Sequence, residues 1–219
     1  MKPKAIVFDA YGTLFDVNSA AERCKNKLGD KWESFANFWR TTQLEYTWLR
    51  SLMKKHKDFW QVTEDSLDKS MKVFNIDNNL KNELLNLYKI LSPYPEVKKV
   101  LTNLKEKKFK LAILSNGTPE LLEELVKKND LNNLFDNLFS VEEVKIYKPD
   151  SRVYDLPIKK YNIKPDEIVF LSANTWDVSG GGNYGFNSIW VNRSKSHFDK
   201  LDYFPKNEIG NLTQLLDIV

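Results

Sequence analysis

The sequence predicts an α/β fold: a Rossmann-like, doubly wound parallel sheet core with a helical cap inserted after the first strand. Three observations predict it. Short continuous apolar runs recur along the chain, as in "KAIVF", "KLAILS" and "EIVFLS", and such runs mark strands buried on both faces. Helical stretches alternate with them, the rhythm of strand–helix units in a parallel sheet. Residues 15–92 interrupt that rhythm with four of the six tryptophans, one glycine and no proline.

Residues 4–8 read as a short buried strand with Asp9 at its end. In the segment that follows, Phe35, Trp39, Tyr46, Leu49 and Met53 recur at steps of three, four or seven, and Leu80, Leu84, Leu87 and Leu91 make a second helical stripe. "SPYPE" at 92–96 is a turn that closes the segment. Residues 96–108 are predicted helical, 110–117 a strand ending in a small polar turn, and 119–129 a helix with Pro119 in its first turn. A short strand falls within 134–143, a helix opens after Lys148, and 167–174 form another buried strand. "WDVSGGGNYGF" reads as a glycine-rich helix start, and 187–193 as a further strand. The predicted domains are a core of residues 1–14 and 93–219 and a cap of residues 15–92.

Composition narrows the function classes. With 33 basic and 30 acidic residues the net charge is +3, too balanced to point to nucleic acid or a membrane surface. No apolar run approaches the ~20 residues needed to span a bilayer. The run after Lys2 and Lys4 is too short for a signal-peptide core. Cys24 is the one cysteine, so no intrachain disulfide forms, and with only His56 and His197 beside it a Cys/His zinc site is not expected. A cytoplasmic protein is expected, with Cys24, His56 and His197 outside its site.

Parallel sheets bind ligands at the carboxyl ends of their strands. Asp9 follows one predicted strand, Ser115 and Asn116 another, Ser172 and Asn174 a third, and Asp177 lies just beyond. Any one of these is readable as a turn former; three strand ends following the same rule point to a site. Asp9 there reads as a nucleophile, or alternatively as a helix N-cap.

Four motifs in order, "DAYGT" (9–13), "SNG" (115–117), the lysine of "YKPD" (Lys148) and "SANTWD" (172–177), resemble the haloacid dehalogenase superfamily. The resemblance spans the whole chain, the helical cap included. That superfamily mixes phosphatases, phosphotransferases and dehalogenases, and fold alone does not choose among them. Its phosphatases carry Asp-x-Asp, the second acid protonating the leaving oxygen, and hold Mg²⁺ with an acidic pair in the last loop. Here the second acid is Tyr11, whose ordinary pKa of ~10 makes a poor acid near neutrality, and the last-loop positions are Ala173 and Asp177.

In detail the chain resembles the (S)-2-haloacid dehalogenases, through "WRTTQLEYTWLR" (39–50) and the Ser-x-Asn-x-x-Asp pattern of "SANTWD". The resemblance implies Asp9 as nucleophile, Arg40 as the halide-side cation, Ser115 and Asn116 at the substrate carboxylate, and Lys148 as the core cation. It implies that Ser172, Asn174 and Asp177 position Lys148 and the hydrolytic water, with Thr13, Tyr154 and Tyr11 completing the wall. Ala173 stands where that subfamily often has a second serine. A departing halide needs no proton, which fits Tyr11. Leu44, Phe59 and Trp176 are candidates for the apolar wall around the substrate, or for ordinary packing. Arg40, on a stripe with Leu44 and Trp48, either closes the site or snorkels to solvent. Lys148 alone would read as a surface lysine, and Asp177 as either a salt-bridge partner or a water-orienting acid.

The expectation is hydrolytic dehalogenation of short (S)-2-haloalkanoic acids to (R)-2-hydroxy acids through an aspartyl ester, with no metal and no organic cofactor. The expected partner is the 2-haloacid substrate, without nucleic acid or membrane. Cap aromatics fit either a homodimer surface or the core. The alternatives are a Mg²⁺-dependent phosphatase of the same superfamily, opposed by Tyr11 and Ala173, and a non-catalytic binding protein, opposed by the presence of Asp9, Lys148 and Arg40.

Overall fold

The computed structural model describes residues 3–219; Met1 and Lys2, the latter part of the N-terminal expectation, lie outside them. Among the described residues six strands form one sheet: β1 (Ala5–Phe8), β2 (Lys110–Ser115), β3 (Asn137–Ser140), β4 (Ile168–Ser172), β5 (Asn187–Val191) and β6 (Asn207–Ile209). Their order is β3-β2-β1-β4-β5-β6, all parallel. The central strands β1 and β4 are buried along their whole length, which explains their unbroken apolar sequences. Phe8 pairs with Ile113 on one side and Leu171 on the other. The three strand ends carrying Asp9, Ser115 and Ser172 are therefore neighbours, at the place where the strand order reverses.

Helices α1 (Ser19–Arg23), α2 (Lys25–Leu28), α3 (Trp32–Leu52), α4 (Phe59–Phe74) and α5 (Lys81–Tyr88) come between β1 and β2 in chain order. α3 buries Phe35, Ala36, Trp39, Thr42, Gln43 and Thr47; α4 buries Phe59, Val62, Thr63, Ser66, Leu67, Ser70 and Met71. Both sets follow helical spacing. The hydroxyls inside α4 are satisfied by their own helix: Thr63 donates to the Phe59 carbonyl at 2.7 Å and Ser70 to that of Ser66 at 2.7 Å. Asp58 caps α4, accepting the Gln61 N–H at 2.8 Å. The stripe predicted to run to Leu91 ends earlier, at Tyr88, because the chain must turn extended ahead of Pro93. The aromatics of this segment are buried or half-buried; its exposed large apolar residues are Leu49, Leu52, Met53 and Val73.

The chain enters and leaves the helical segment by adjacent connectors. Asp16 N–H donates to the Ser92 carbonyl at 2.8 Å and Tyr94 N–H to that of Leu14 at 3.0 Å. Arg193 secures the junction: its guanidinium lies 3.7 Å from the Tyr94 ring centroid, pairs with Glu96 at 2.7 Å and donates to the Thr13 carbonyl at 2.8 Å.

The remaining helices are α6 (Val97–Glu106), α7 (Pro119–Lys128), α8 (Ser151–Tyr161) and α9 (Thr175–Tyr184), flanking the sheet. Two expectations need correction. The glycines of "GGG" do not start α9; they fall in its second half, where the helix meets its neighbours closely. A Cβ on Gly180 would sit 2.7 Å from Pro149 Cβ, and one on Gly181 would sit 2.7 Å from Phe170 Cδ1 and 3.1 Å from Ser188 Oγ. The edge strand β6 was also unforeseen: it is three residues long and two of them are exposed and polar, so it has no apolar run to read. No helix of the described residues is long and apolar enough to cross a membrane.

Gly181→Ala is expected to lower the unfolding free energy. Overpacking costs about 1–3 kcal/mol, and the better helix propensity of alanine returns less than about 1 kcal/mol. Urea denaturation measures the difference; an unchanged midpoint would mean that Phe170 yields freely.

Candidate active site

Asp9 follows β1 directly, its N–H donating to the Leu171 carbonyl at 2.8 Å. Gly12 takes φ +88°, a turn that only glycine makes cheaply, and so returns the chain to bring Thr13 beside Asp9. The two carboxylate oxygens are treated differently. Oδ2 accepts from Thr13 Oγ1 at 3.1 Å, Ser172 Oγ at 3.3 Å and Asn174 Nδ2 at 2.9 Å. Oδ1 faces Lys148 Nζ at 3.2 Å.

The donors are oriented by the backbone. Ala173 N–H donates to Thr13 Oγ1 at 2.8 Å and Asn174 N–H to Ser172 Oγ at 3.1 Å. Each hydroxyl thus has a lone pair occupied and its hydrogen turned to Asp9. Asn174 spends its second amide hydrogen on the Tyr11 carbonyl at 3.2 Å.

Lys148 is wholly buried between two acids, Asp9 at 3.2 Å and Asp177 at 2.8 Å. Its N–H donates to Asn116 Oδ1 at 3.2 Å, which ties the turn after β2 to the lysine. Asp177 Oδ1 accepts from Tyr154 Oη at 2.8 Å. Burial pushes the Asp177 carboxyl up to about 6, with Lys148 pulling it back down and Asp9 pushing it further up. Burial and Asp177 together hold the Tyr154 phenol well above its ordinary value, so Tyr154 keeps its proton and acts as a donor.

Arg40 turns inward. Its Nη1 donates to Gln43 Oε1 at 2.8 Å, and Nη2 approaches the Tyr11 carbonyl at 3.5 Å. Tyr11 packs its ring on Phe59 and Tyr88, with centroids 5.2 and 5.8 Å away. Its phenol points to the Gly117 turn, where a Cβ would lie 2.9 Å from Tyr11 Oη. Burial, chiefly, raises that phenol well above its ordinary value. Tyr11 joins the network through its carbonyl.

The structure thus joins Asp9, Thr13, Lys148, Tyr154, Ser172, Asn174 and Asp177 in one hydrogen-bonded cluster. Tyr11, Arg40 and Asn116 attach to it, and Phe59 stands behind Tyr11. Ser115 is more remote: its Oγ accepts the Gly117 N–H at 3.1 Å and shapes the turn. Leu44 is half-buried one turn beyond Arg40. Trp176 meets the α3 residue Trp48 edge-on, centroids 5.4 Å apart. His56 lies elsewhere, against Glu142 at 3.1 Å, and Cys24 is buried among the helices.

Sequence reasoning missed Gln43, Tyr88 and Arg193. A polar Gln43 on the buried stripe of α3, three residues after Arg40, was the available signal. Among the described residues no group of three or more His, Cys, Asp or Glu side chains could hold a metal ion, and both Asp177 oxygens are taken by Lys148 and Tyr154. A cavity of about 630 Å³ at the opposite end of the sheet, lined by Val169, Ser188 and Tyr203, contains none of the predicted site residues.

The model of the haloacid dehalogenase-like hydrolases matches residues 3–185. The chain is 43% identical to (S)-2-haloacid dehalogenase 1 of Pseudomonas sp. (strain CBS-3), over 97% of this chain and 94% of that one. It is 38% identical to (S)-2-haloacid dehalogenase 4A of Burkholderia cepacia, over 97% and 93%. Among solved structures, L-2-haloacid dehalogenase from Xanthobacter autotrophicus with chloropropionic acid covalently bound superposes with a TM-score of 0.92 at 32% identity, covering 100% of this chain and 98% of that one. A matching model over most of the length, and relatives this similar end to end, mean that the chain belongs to the haloacid dehalogenase-like hydrolases.

Proposed function

We propose that this chain hydrolyses short (S)-2-haloalkanoic acids to (R)-2-hydroxy acids, with inversion, through an ester on Asp9. One observation carries the chemistry: Asp9 has Oδ2 tied by three donors while Oδ1, among the described residues, meets Lys148 alone. The relatives named (S)-2-haloacid dehalogenase and the structure with covalently bound chloropropionic acid support the substrate class.

In this reading Oδ1 of Asp9 attacks C2, and the carbon–halogen electron pair leaves with the halide, on the side of Arg40. Lys148 offsets the repulsion between the carboxylate and an anionic substrate. Ser115 and Asn116 receive the substrate carboxylate, and Leu44, Phe59 and Trp176 surround its alkyl group. Water then adds to the Asp9 carbonyl carbon; one of its protons goes to the ester oxygen, which departs with the hydroxy acid, and the other passes to solvent. Asp177, fixed by Tyr154, holds Lys148 in place through both steps. Residues 15–92 act as the cap and residues 1–14 with 93–219 as the core. The same proposal includes a cytoplasmic enzyme, in keeping with a lone free cysteine, and a homodimer through the exposed Leu49, Leu52 and Met53. No metal takes part.

Asp9→Asn is expected to lower turnover by about 10,000-fold with the fold retained, since an amide is a far weaker nucleophile. In a single turnover in ¹⁸O water, the label should enter Asp9 and not the first hydroxy acid; the reverse distribution would remove Asp9 as nucleophile. Halide release should be unchanged in excess EDTA. Chelation that stops it, with Mg²⁺ restoring it, would return the phosphatase-like reading. The Asp177 carboxyl is raised above its unfolded value, so it takes up a proton earlier as pH falls. Turnover should accordingly decline below about pH 6 while circular dichroism stays constant; an acid limb confined to below about pH 4 would mean an Asp177 that ionises as it does in water.

A further inference from the structure

Behind Arg40 lies a buried amide whose orientation is dictated by its surroundings. Gln43 is 1% exposed, Thr63 0% and Tyr88 4%. Gln43 Nε2 donates to Thr63 Oγ1 at 2.7 Å and lies 3.0 Å from Tyr88 Oη, which is also within 3.3 Å of Gln43 Oε1 and so contacts both ends of the amide. Thr63 has already given its own hydrogen to the Phe59 carbonyl at 2.7 Å, an oxygen that can only accept, so Thr63 Oγ1 can only receive from Gln43. The amide nitrogen must therefore face Thr63, and Oε1 must face outward, where it accepts from Arg40 Nη1 at 2.8 Å. Reversed, the amide would turn its N–H groups on a cation and strand a carbonyl oxygen against a hydroxyl with no hydrogen to give.

The arrangement also restricts movement. Arg40 Nη2 reaches the Tyr11 carbonyl, and the Tyr11 ring stacks on that of Tyr88 with 19° between planes. A cavity of about 10 Å³, lined by Val17, Ala36, Trp39, Arg40, Gln43 and Tyr88, is the free space there, at the lower limit for one water molecule.

We propose that Gln43 is a positioning residue for the displacement step: held in one orientation by Thr63, it fixes the Arg40 guanidinium so that its uncommitted N–H groups face the departing halide. The inference rests on the reading of Arg40 as the halide-side cation. It has a consequence that packing alone lacks. The halide has left before water attacks the ester, so a misaligned Arg40 slows ester formation and leaves ester hydrolysis untouched. Chloride, the poorer leaving group, depends on that alignment more than bromide.

Rapid-quench measurement of both steps, with (S)-2-chloropropionate and (S)-2-bromopropionate, tests it in Gln43→Leu, Thr63→Val, Thr63→Ser and Arg40→Lys. Gln43→Leu should slow ester formation from the chloro acid by about 10- to 100-fold, the scale of a small misplacement of a catalytic group. The loss should be smaller with the bromo acid, and ester hydrolysis should stay within about twofold of wild type. Thr63→Val, nearly the same shape but without the acceptor, should move in the same direction, and Thr63→Ser should restore the rate; this pair decides the matter if Gln43→Leu does not fold. Equal losses in both steps, or equal losses with both halogens, would overturn the inference and leave Gln43 as packing. Should Arg40→Lys slow ester formation while Gln43→Leu does not, the inference alone fails. An Arg40→Lys protein with unchanged ester formation would instead refute the reading of Arg40.

Discussion

The buried contact between the Lys148 ammonium and the carboxylates of Asp9 and Asp177 is the interaction on which the rest of the site depends. Three buried ionisable groups are expensive to hold, and they are tolerated only when each has partners. Each partner here comes from a different part of the chain: Asp9 from the end of β1, Lys148 from the loop before α8, and Asp177 from the first turn of α9. Removing Lys148 would leave two buried carboxylates facing each other without a cation. The requirement explains why Tyr154, inside α8, spends its phenol on Asp177, and why α9 must approach closely enough to need glycine opposite Pro149 and Phe170.

How much of this the sequence disclosed depends on the range of each signal. Strands β1, β2 and β4 were legible because burial on both faces writes itself into consecutive residues. With them came Asp9, Ser115 and Ser172, which need only be recognised as strand ends. Lys148 and Tyr154 carry no such local mark; a lysine before a proline reads as surface, and only the ordered motifs placed these two in the site. The "GGG" run was visible but not interpretable, since its reason lies in side chains of α8 and β4. Gln43 was the opposite case, a residue that looked ordinary because its partners, on α4 and α5, are set by packing between helices. β6 left almost no trace, being an edge strand with little to bury.

The helical segment contributes to the site by two different physical routes. Aromatic packing of Tyr11 on Phe59 and Tyr88 fixes the wall without directional demands. Arg40 and Gln43 rely on directed hydrogen bonds, where an error in one partner's polarity is felt by the next. The Asp9 cluster has the same polarity logic on the sheet side, with backbone N–H groups setting the direction of the Thr13 and Ser172 hydroxyls. Each side is ordered internally, and they meet at the Tyr11 carbonyl, which receives from both Asn174 and Arg40.

The paired connectors at 14–16 and 92–94 bear on how such a chain can diversify. Because the two ends of the helical segment are hydrogen-bonded side by side, the sheet sees the whole segment as it would see a tight loop. Closing a loop costs only ~0.6 kcal/mol more for each doubling of its length, so helices can be added, shortened or exchanged there with little effect on core stability. The segment between the connectors and the polar cluster at three strand ends can then change on separate genetic schedules, one by remodelling helices, the other by substitutions at the sheet edge.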